Sequence, residues 1–171
     1  GESWINESNI GGRKATLRSV TVKNSVIYSA GDSGIVVKKI IGNKPILFET
    51  PGKHRLRDIF FISENIGWAV GDSGTVIKTI DGGSNWILQN LGLTYDFKKT
   101  FFANQIVGFI VGDGGKIFRT LNGGNAWDTL ASGTTRDLSS LYFYDADTGW
   151  AAGILGTIRK TTDRGQTWKN Q

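Results

Sequence analysis

The stretch Gly-Asp-Ser-Gly occurs twice in the chain and makes Ser33 and Ser73 candidate nucleophiles. An activated serine needs a base within hydrogen-bond reach, and His54, the only histidine, belongs to no repeated position. Two corresponding stretches further along read GDGG (112–115) and GILG (153–156), so the serine is lost while both glycines remain. We therefore interpret the stretch as a hairpin turn whose two glycines supply positive φ, and not as a catalytic site.

This turn is one column of an internal repeat with a period of about 41 residues. Its first glycine recurs at intervals of 40, 41 and 41 residues, at Gly31, Gly71, Gly112 and Gly153. Tryptophans recur with the same period at Trp86, Trp127 and Trp168. An aromatic residue stands three positions before each glycine, at Tyr28, Trp68, Phe109 and Trp150. We interpret this aromatic column as apolar core between successive repeats.

Each repeat contains four short strand-like pieces, such as IFFI, GWAVG, GTVIKT and WILQN in the second repeat. Four strands in about 41 residues are typical of a β-propeller blade. The sequence thus predicts an all-β fold, a single partial β-propeller domain over 1–171, with four four-stranded blades and one extra N-terminal strand. The predicted units are an outer strand of a preceding blade (1–10), a degenerate blade (11–51) and three further blades (52–92, 93–133 and 134–171).

The extra strand bears on closure of the ring. Both ends of the chain supply the same kind of fourth strand, so a closed four-bladed ring would have one strand too many. We therefore expect an arc of a larger propeller, or one that forms a homo-oligomer to complete a ring.

The octapeptides TIDGGSNW (79–86), TLNGGNAW (120–127) and TTDRGQTW (161–168) resemble the Asp-box, or BNR, motif of sialidase-type propellers. With GWAVGDSGTVIKTIDGGSNW (67–86), they make the chain similar to the photosystem II stability/assembly factor-like propellers. The resemblance covers three units well and the first unit through its first three strands. It implies a propeller scaffold whose Asp-boxes lie on the face opposite the usual ligand side.

The Asp-box residues are expected to have a structural role. The Asp or Asn side chain can accept hydrogen bonds from backbone N–H groups that follow it, the glycine takes a left-handed conformation, and the tryptophan buries an apolar face. The structural set is Asp81, Gly83, Trp86, Asn122, Gly124, Trp127, Asp163, Gly165 and Trp168.

Composition excludes several kinds of site. The chain has no cysteine, and the alternating oxygen ligands of a calcium loop are missing, so no metal and no cofactor are expected. No apolar run is long enough to span a bilayer. The chain begins with Gly and contains no Met, so we interpret it as a mature or excised piece, which by itself says nothing about export. Separately, we expect an exported location, periplasmic, thylakoid-lumenal or extracellular.

The connections from a fourth strand to the next first strand should share a face with the Gly-Asp-Ser-Gly turns. These connections carry nine basic and three acidic side chains, although the turn aspartates partly offset the charge. The predicted partner-binding set on this basic face is Arg13, Arg18, Arg55, Arg57, Lys98, Lys99 and Arg136. A solvated face kept polar for solubility is the alternative interpretation.

These features predict a non-enzymatic interaction scaffold of assembly-factor type that docks an acidic protein segment on the basic face. An anionic glycan is a second candidate partner, and a carbohydrate-binding or adhesin module of a larger secreted protein is the alternative function. Nucleic acid is not expected, because repeated accessible aromatics for base stacking are missing. A sialidase-like hydrolase is not expected either, since only four Tyr and four Glu are present and none forms a repeated inward set.

Overall fold

The computed structural model describes residues 16–89 and 91–171, and in these residues the chain forms sixteen β-strands in four antiparallel sheets. The first sheet contains β1 (Leu17–Lys23), β2 (Val26–Gly31), β3 (Ile35–Ile40) and β4 (Ile46–Glu49). The second contains β5 (Leu56–Phe61), β6 (Gly67–Gly71), β7 (Val76–Thr79) and β8 (Ile87–Gln89). The third contains β9 (Phe97–Phe102), β10 (Gly108–Gly112), β11 (Ile117–Thr120) and β12 (Asp128–Leu130). The fourth contains β13 (Leu138–Phe143), β14 (Gly149–Gly153), β15 (Ile158–Thr161) and β16 (Lys169–Asn170).

Each sheet is a meander in which every strand pairs with the next one in sequence. Four-stranded meanders repeated along the chain are the blades of a propeller, so the predicted all-β propeller fold is confirmed. Within the described residues, the contacts between sheets join consecutive blades and the first blade does not close onto the fourth, so the blades form an open arc. The predicted extra strand at 1–10 lies outside the described residues.

A short turn joins the second and third strands of each blade, and in the first, third and fourth blades it is a single turn of 3₁₀ helix. The last glycine of the turn has positive φ in every blade, for example 67° at Gly34 and 69° at Gly74. The residue before it also has positive φ, 59° at Ser33 and 55° at Ser73. Both serines are therefore turn residues, as predicted.

The first glycine of the turn has a different role from the predicted one. Gly31 has a φ of −164° and Gly112 one of −166°, which is extended backbone that any residue can adopt. A Cβ at Gly71 would instead lie 1.9 Å from the backbone oxygen of Arg55, and the other three glycines meet the preceding connection in the same way. The prediction that both glycines supply positive φ was wrong for this one, which is needed for close backbone approach.

Three aromatic rings meet at each boundary between blades. Tyr28 of the first blade stacks on Phe61 of the second, with ring centroids 3.6 Å apart, and Phe61 meets the Asp-box residue Trp86 edge-on at 5.9 Å. The next two boundaries repeat this arrangement with Trp68, Phe102 and Trp127, and with Phe109, Phe143 and Trp168. We call these three sets the aromatic joints.

The aromatic column contributes one ring to each joint. Tyr28, Trp68 and Phe109 are fully buried, which confirms that this column is core between blades. The fourth member, Trp150, is only half-buried, because no described blade covers that side of the fourth sheet. The aromatic rings of Tyr142 and Tyr144 are also exposed on this blade.

Candidate functional site

A β-bulge at the start of each blade sets the direction of the key side chains. The residue paired with the first turn glycine is followed by one unpaired residue before the ladder resumes, as between Leu56 and Asp58. A bulge re-aims the extra side chain, here toward the face that carries the turns. The unpaired residues are Arg18, Arg57, Lys98 and Ser139.

The acid of the turn is the partner of the bulged cation in the same blade. Arg18 donates two hydrogen bonds to Asp32, at 2.5 Å from Nε and 2.9 Å from Nη2. Arg57 donates from Nε to Asp72, and Lys98 contacts Asp113 in the same way. The fourth blade has Ser139 and Ile154 at these two positions, so the cation and the acid are lost together.

A second group of contacts crosses from blade to blade. Arg57 Nη2 donates to Asp96 Oδ2 at 3.1 Å, and Lys98 Nζ donates to Asp137 Oδ2 at 2.8 Å. These two aspartates, 41 residues apart, also accept backbone N–H groups from the preceding turn, Asp96 from Ser73 and Asp137 from Gly114. The connection of one blade is thereby fastened to the turn of the blade before it.

Arg55 occupies the corresponding place in the connection to the second blade. Its Nε lies 3.0 Å from Asp32 Oδ1 and its Nη1 lies 3.7 Å from Asp72 Oδ2. It thus bridges the turn acids of the first two blades. We name the connected set on this face the charge ladder; its members are Arg18, Asp32, Arg55, Asp72, Arg57, Asp96, Lys98, Asp113 and Asp137.

The contacts of the ladder favour the charged forms of Asp32, Asp137 and Arg57. The hydrogen bond from Arg18 lowers the pKa of Asp32, and that from Lys98, together with the Gly114 N–H, lowers the pKa of Asp137. Partial burial opposes the charge of Arg57, but its bonds to Asp72 and Asp96 prevail and raise its pKa. These shifts favour opposite charges side by side on a partly exposed face.

The predicted basic set is therefore largely paired. Arg18, Arg55, Arg57 and Lys98 contact ladder aspartates, and Lys99 lies 2.9 Å from the buried carboxylate of Asp58. Arg136 differs, because its Nη1 donates to the backbone oxygen of Leu155 at 3.4 Å and no carboxylate of the described residues pairs with it. Arg13 lies outside the described residues. That the face binds a partner stays a prediction.

The Asp-boxes lie at the other end of the strands, between the third and fourth strand of a blade. Thr79, which is buried, donates to Asp81 Oδ1 at 2.8 Å and accepts the Gly83 N–H at 2.9 Å. Asp81 Oδ1 also accepts the backbone N–H of Asn85 at 2.9 Å. Asn122 makes the equivalent bond to Ala126 at 2.8 Å. The structural role predicted for this set is consistent with these contacts and is tested below.

Acid should weaken the boxes in a defined pH window. The backbone N–H of Asn85 and its side-chain amide lower the pKa of Asp81 to about 2, and the hydroxyl and N–H of Thr167 lower that of Asp163 to about 2. Because the folded-state pKa values lie below the ordinary value of 3.8, these carboxylates stabilise the fold above about pH 4. That stability is lost as the pH falls from about 4 to about 2.

The measurement is the melting temperature of the wild type and of the double variant D81N/D163N between pH 6 and pH 2. The variant keeps the acceptor that Asn122 already uses in the third blade, so it should fold at neutral pH and lose less stability in acid than the wild type. Equal acid losses in the two proteins would contradict the role assigned to the boxes.

Within 16–89 and 91–171, no cluster of His, Cys, Asp or Glu side chains has the geometry of a metal site. No helix in the same residues is long and apolar enough to cross a membrane. The face on which the turn acids, the bulged cations and the connections meet is the candidate site, and we call it the ladder face.

The family model of the photosynthesis system II assembly factor YCF48 matches residues 44–135, more than half of the 171-residue chain. The chain belongs to the YCF48 family. The match includes the second blade, the third blade and the cross-blade bond from Arg57 to Asp96; it also includes Lys98, whose partner Asp137 lies two residues beyond it. Among curated proteins, no sequence matches this chain.

Two solved structures of YCF48 are similar to this member of the family. A structure of YCF48 bound to D1 peptide is 26% identical with a TM-score of 0.66, over 72% of this chain and 41% of that chain. YCF48 from Cyanidioschyzon merolae is 15% identical with a TM-score of 0.71, over 92% of this chain and 55% of that chain. The chain therefore spans about half the length of the YCF48 structures it matches.

Glycoside hydrolases share the architecture. An ancestral GH74 enzyme is 17% identical with a TM-score of 0.74, over 89% of this chain and 23% of that chain. At this identity the likeness concerns the fold alone, because propellers carry many unrelated activities.

Proposed function

We propose that this YCF48-family chain is a non-enzymatic scaffold of assembly-factor type that docks an acidic segment of a partner protein on the ladder face. The observation that carries the proposal is the row of cations that three consecutive blades aim at one face by means of the same bulge. The structure of YCF48 bound to D1 peptide supports a protein partner. We also propose that the protein is exported from the compartment in which it is made.

The internal aspartates do not prevent such docking. Arg18 and Arg57 are about a third exposed, and exposed ion pairs contribute only about 0–1 kcal/mol each. A partner carboxylate can therefore replace a ladder aspartate at small cost. The planar guanidinium groups also keep donors that the aspartates do not use, which suits two carboxylates at once.

The test compares two neutralising triple variants that remove opposite members of the ladder. R18Q/R57Q/K98Q removes the three bulged cations, and D32N/D72N/D113N removes their partners while leaving the cations. The probes are the D1 peptide and a synthetic Asp/Glu-rich peptide, with a version of each in which Asn and Gln replace the acids. Binding is measured by calorimetry at low and high salt.

We expect the cation variant to bind either acidic peptide several-fold to about tenfold more weakly and the acid variant to bind it more tightly. Salt should weaken binding by the wild type, and the neutral peptides should bind poorly. Melting temperatures show whether each variant is folded. Equal peptide binding by the two triple variants would contradict the proposal, and saturable binding on a glycan array in its place would favour the carbohydrate-binding alternative.

A further inference from the structure

A groove of about 840 Å³ opens between the outer strands of the third and fourth blades. Its walls are formed by the turn before β11, by the end of β12 and the connection that follows it, and by the start of β15. Both walls belong to described blades, so the shape of the groove does not depend on other parts of the chain. Its polar lining includes Lys116, Ser132, Thr134, Arg136, Thr157 and Arg159.

Arg159 breaks the repeat at this point. The equivalent residues of the first three blades are Val37, Ile77 and Phe118, which are apolar and at most 5% exposed. An arginine in an apolar column loses solvation unless it gains partners. Here Nη2 donates to the backbone oxygen of Gly133, while the buried Nε has no partner.

A second buried polar group in the groove is also unsatisfied. Thr157 is 5% exposed, and its Oγ1 makes no hydrogen bond. The equivalent Thr75 of the second blade donates to the backbone oxygen of Asp72 at 2.6 Å. Buried hydroxyls are normally paired, so Thr157 provides a free donor beside the Arg159 guanidinium.

The charge of the groove is uncompensated, in contrast to the ladder. Arg136 and Arg159 have no carboxylate partner among the described residues, and no acid lines the groove. The Lys116 ammonium points elsewhere, 5.0 Å from the centroid of the Tyr95 ring, which is not part of the groove lining. Asp113 and Asp137 precede groove residues in sequence but both contact Lys98. Two cations, Arg136 and Arg159, and the unsatisfied Thr157 hydroxyl therefore line one open cavity.

We propose that the groove between the third and fourth blades is a binding site for an oxyanion, a carboxylate or a phosphate group. Arg159 and Thr157 donate to it from the floor, and Arg136 adds positive charge at the side. Guanidinium and hydroxyl donors suit the oxygens of either group. The site is separate from the paired cations of the ladder and does not rest on their role.

The test is an NMR titration of the whole chain with inorganic phosphate and, separately, with succinate, at low ionic strength. The wild type should bind at least one of them, with amide shifts at residues 114–116, 132–136 and 157–159. Saturation by phosphate alone identifies a tetrahedral oxyanion as the ligand, and saturation by both identifies carboxylates as ligands too.

Two groove variants and one control make the assignment specific. R159V installs the residue that the first blade has at this position, so the protein should fold, and its affinity should fall roughly tenfold or more. T157V keeps the shape of the side chain and should weaken binding several-fold. R164Q removes one cation that is paired with Asp147 at the other end of the blade and should leave binding unchanged. Binding of neither anion by the wild type, or equal affinity of R159V and R164Q, would overturn the proposal.

Discussion

Phe102→Ala is expected to lower the free energy of unfolding by about 3–5 kcal/mol. The Phe102 ring is 1% exposed, stacks on Trp68 of the preceding blade with centroids 3.5 Å apart, and meets Trp127 edge-on at 6.0 Å. Its removal leaves a cavity in the aromatic joint between the second and third blades. Two blades would then remain on each side of a weakened boundary, so unfolding should also become less cooperative.

Urea unfolding followed by tryptophan fluorescence and by circular dichroism measures both effects. Tyr144→Ala is the control, because that ring is 77% exposed and its loss should change stability by no more than about 0.5 kcal/mol. A similar loss in both variants would show that the joints do not hold the blades together.

Gly71→Ala is expected to be strongly destabilising, with a loss of about 1–3 kcal/mol or more. The new Cβ would lie 1.9 Å from the Arg55 backbone oxygen and 2.9 Å from the Leu56 Cα. Those atoms are backbone at the start of β5 and cannot rotate away. The end of the connection, which carries Arg55, and the start of β5, which carries Arg57, would have to move. The melting temperature should therefore fall, and the ladder contacts of both arginines should be disturbed with it.

Gly114→Ala is the matched control in the same kind of turn. Gly114 has a φ of 63°, but a Cβ there meets nothing within 4 Å, and the equivalent positions already hold Ser33, Ser73 and Leu155. Its cost should be about 1–2 kcal/mol, the ordinary penalty of a left-handed side chain. A lower melting temperature for Gly114→Ala than for Gly71→Ala would refute the close-approach explanation.

The columns of the repeat were sufficient to predict the fold. Glycines, tryptophans and an aromatic column with one period predict four stacked meanders, and the burial of Tyr28, Trp68 and Phe109 confirms the place of that column. These properties depend on residue type and spacing alone. The role predicted for the first turn glycine was wrong. Its close contact is with the backbone of a residue 15 or 16 positions earlier, such as Arg55 for Gly71, and a short motif does not reveal that contact.

The candidate site was less predictable than the fold. Its basic residues are visible in the sequence, but their pairing depends on bulges that turn Arg57 and Lys98 toward acids of two different blades. One signal was present: a cation at the bulged position and an acid after the first turn glycine occur together in three units and are both missing in the fourth. Arg159 was also visible as a break in an apolar column, yet its unsatisfied Nε required the three-dimensional structure.

Because the aromatic joints have the same geometry at each boundary, one blade can pack against any other in the same way. Each joint takes one ring from the earlier blade and two from the later one, and the stacked partners stand 33 or 34 residues apart in all three cases, as in Trp68 and Phe102. A duplicated or transplanted blade would thus offer the required rings to the blade before it and to the blade after it, provided that the chain is joined within a connection between blades. Growth or shortening of such an arc by whole units requires no redesign of its interior.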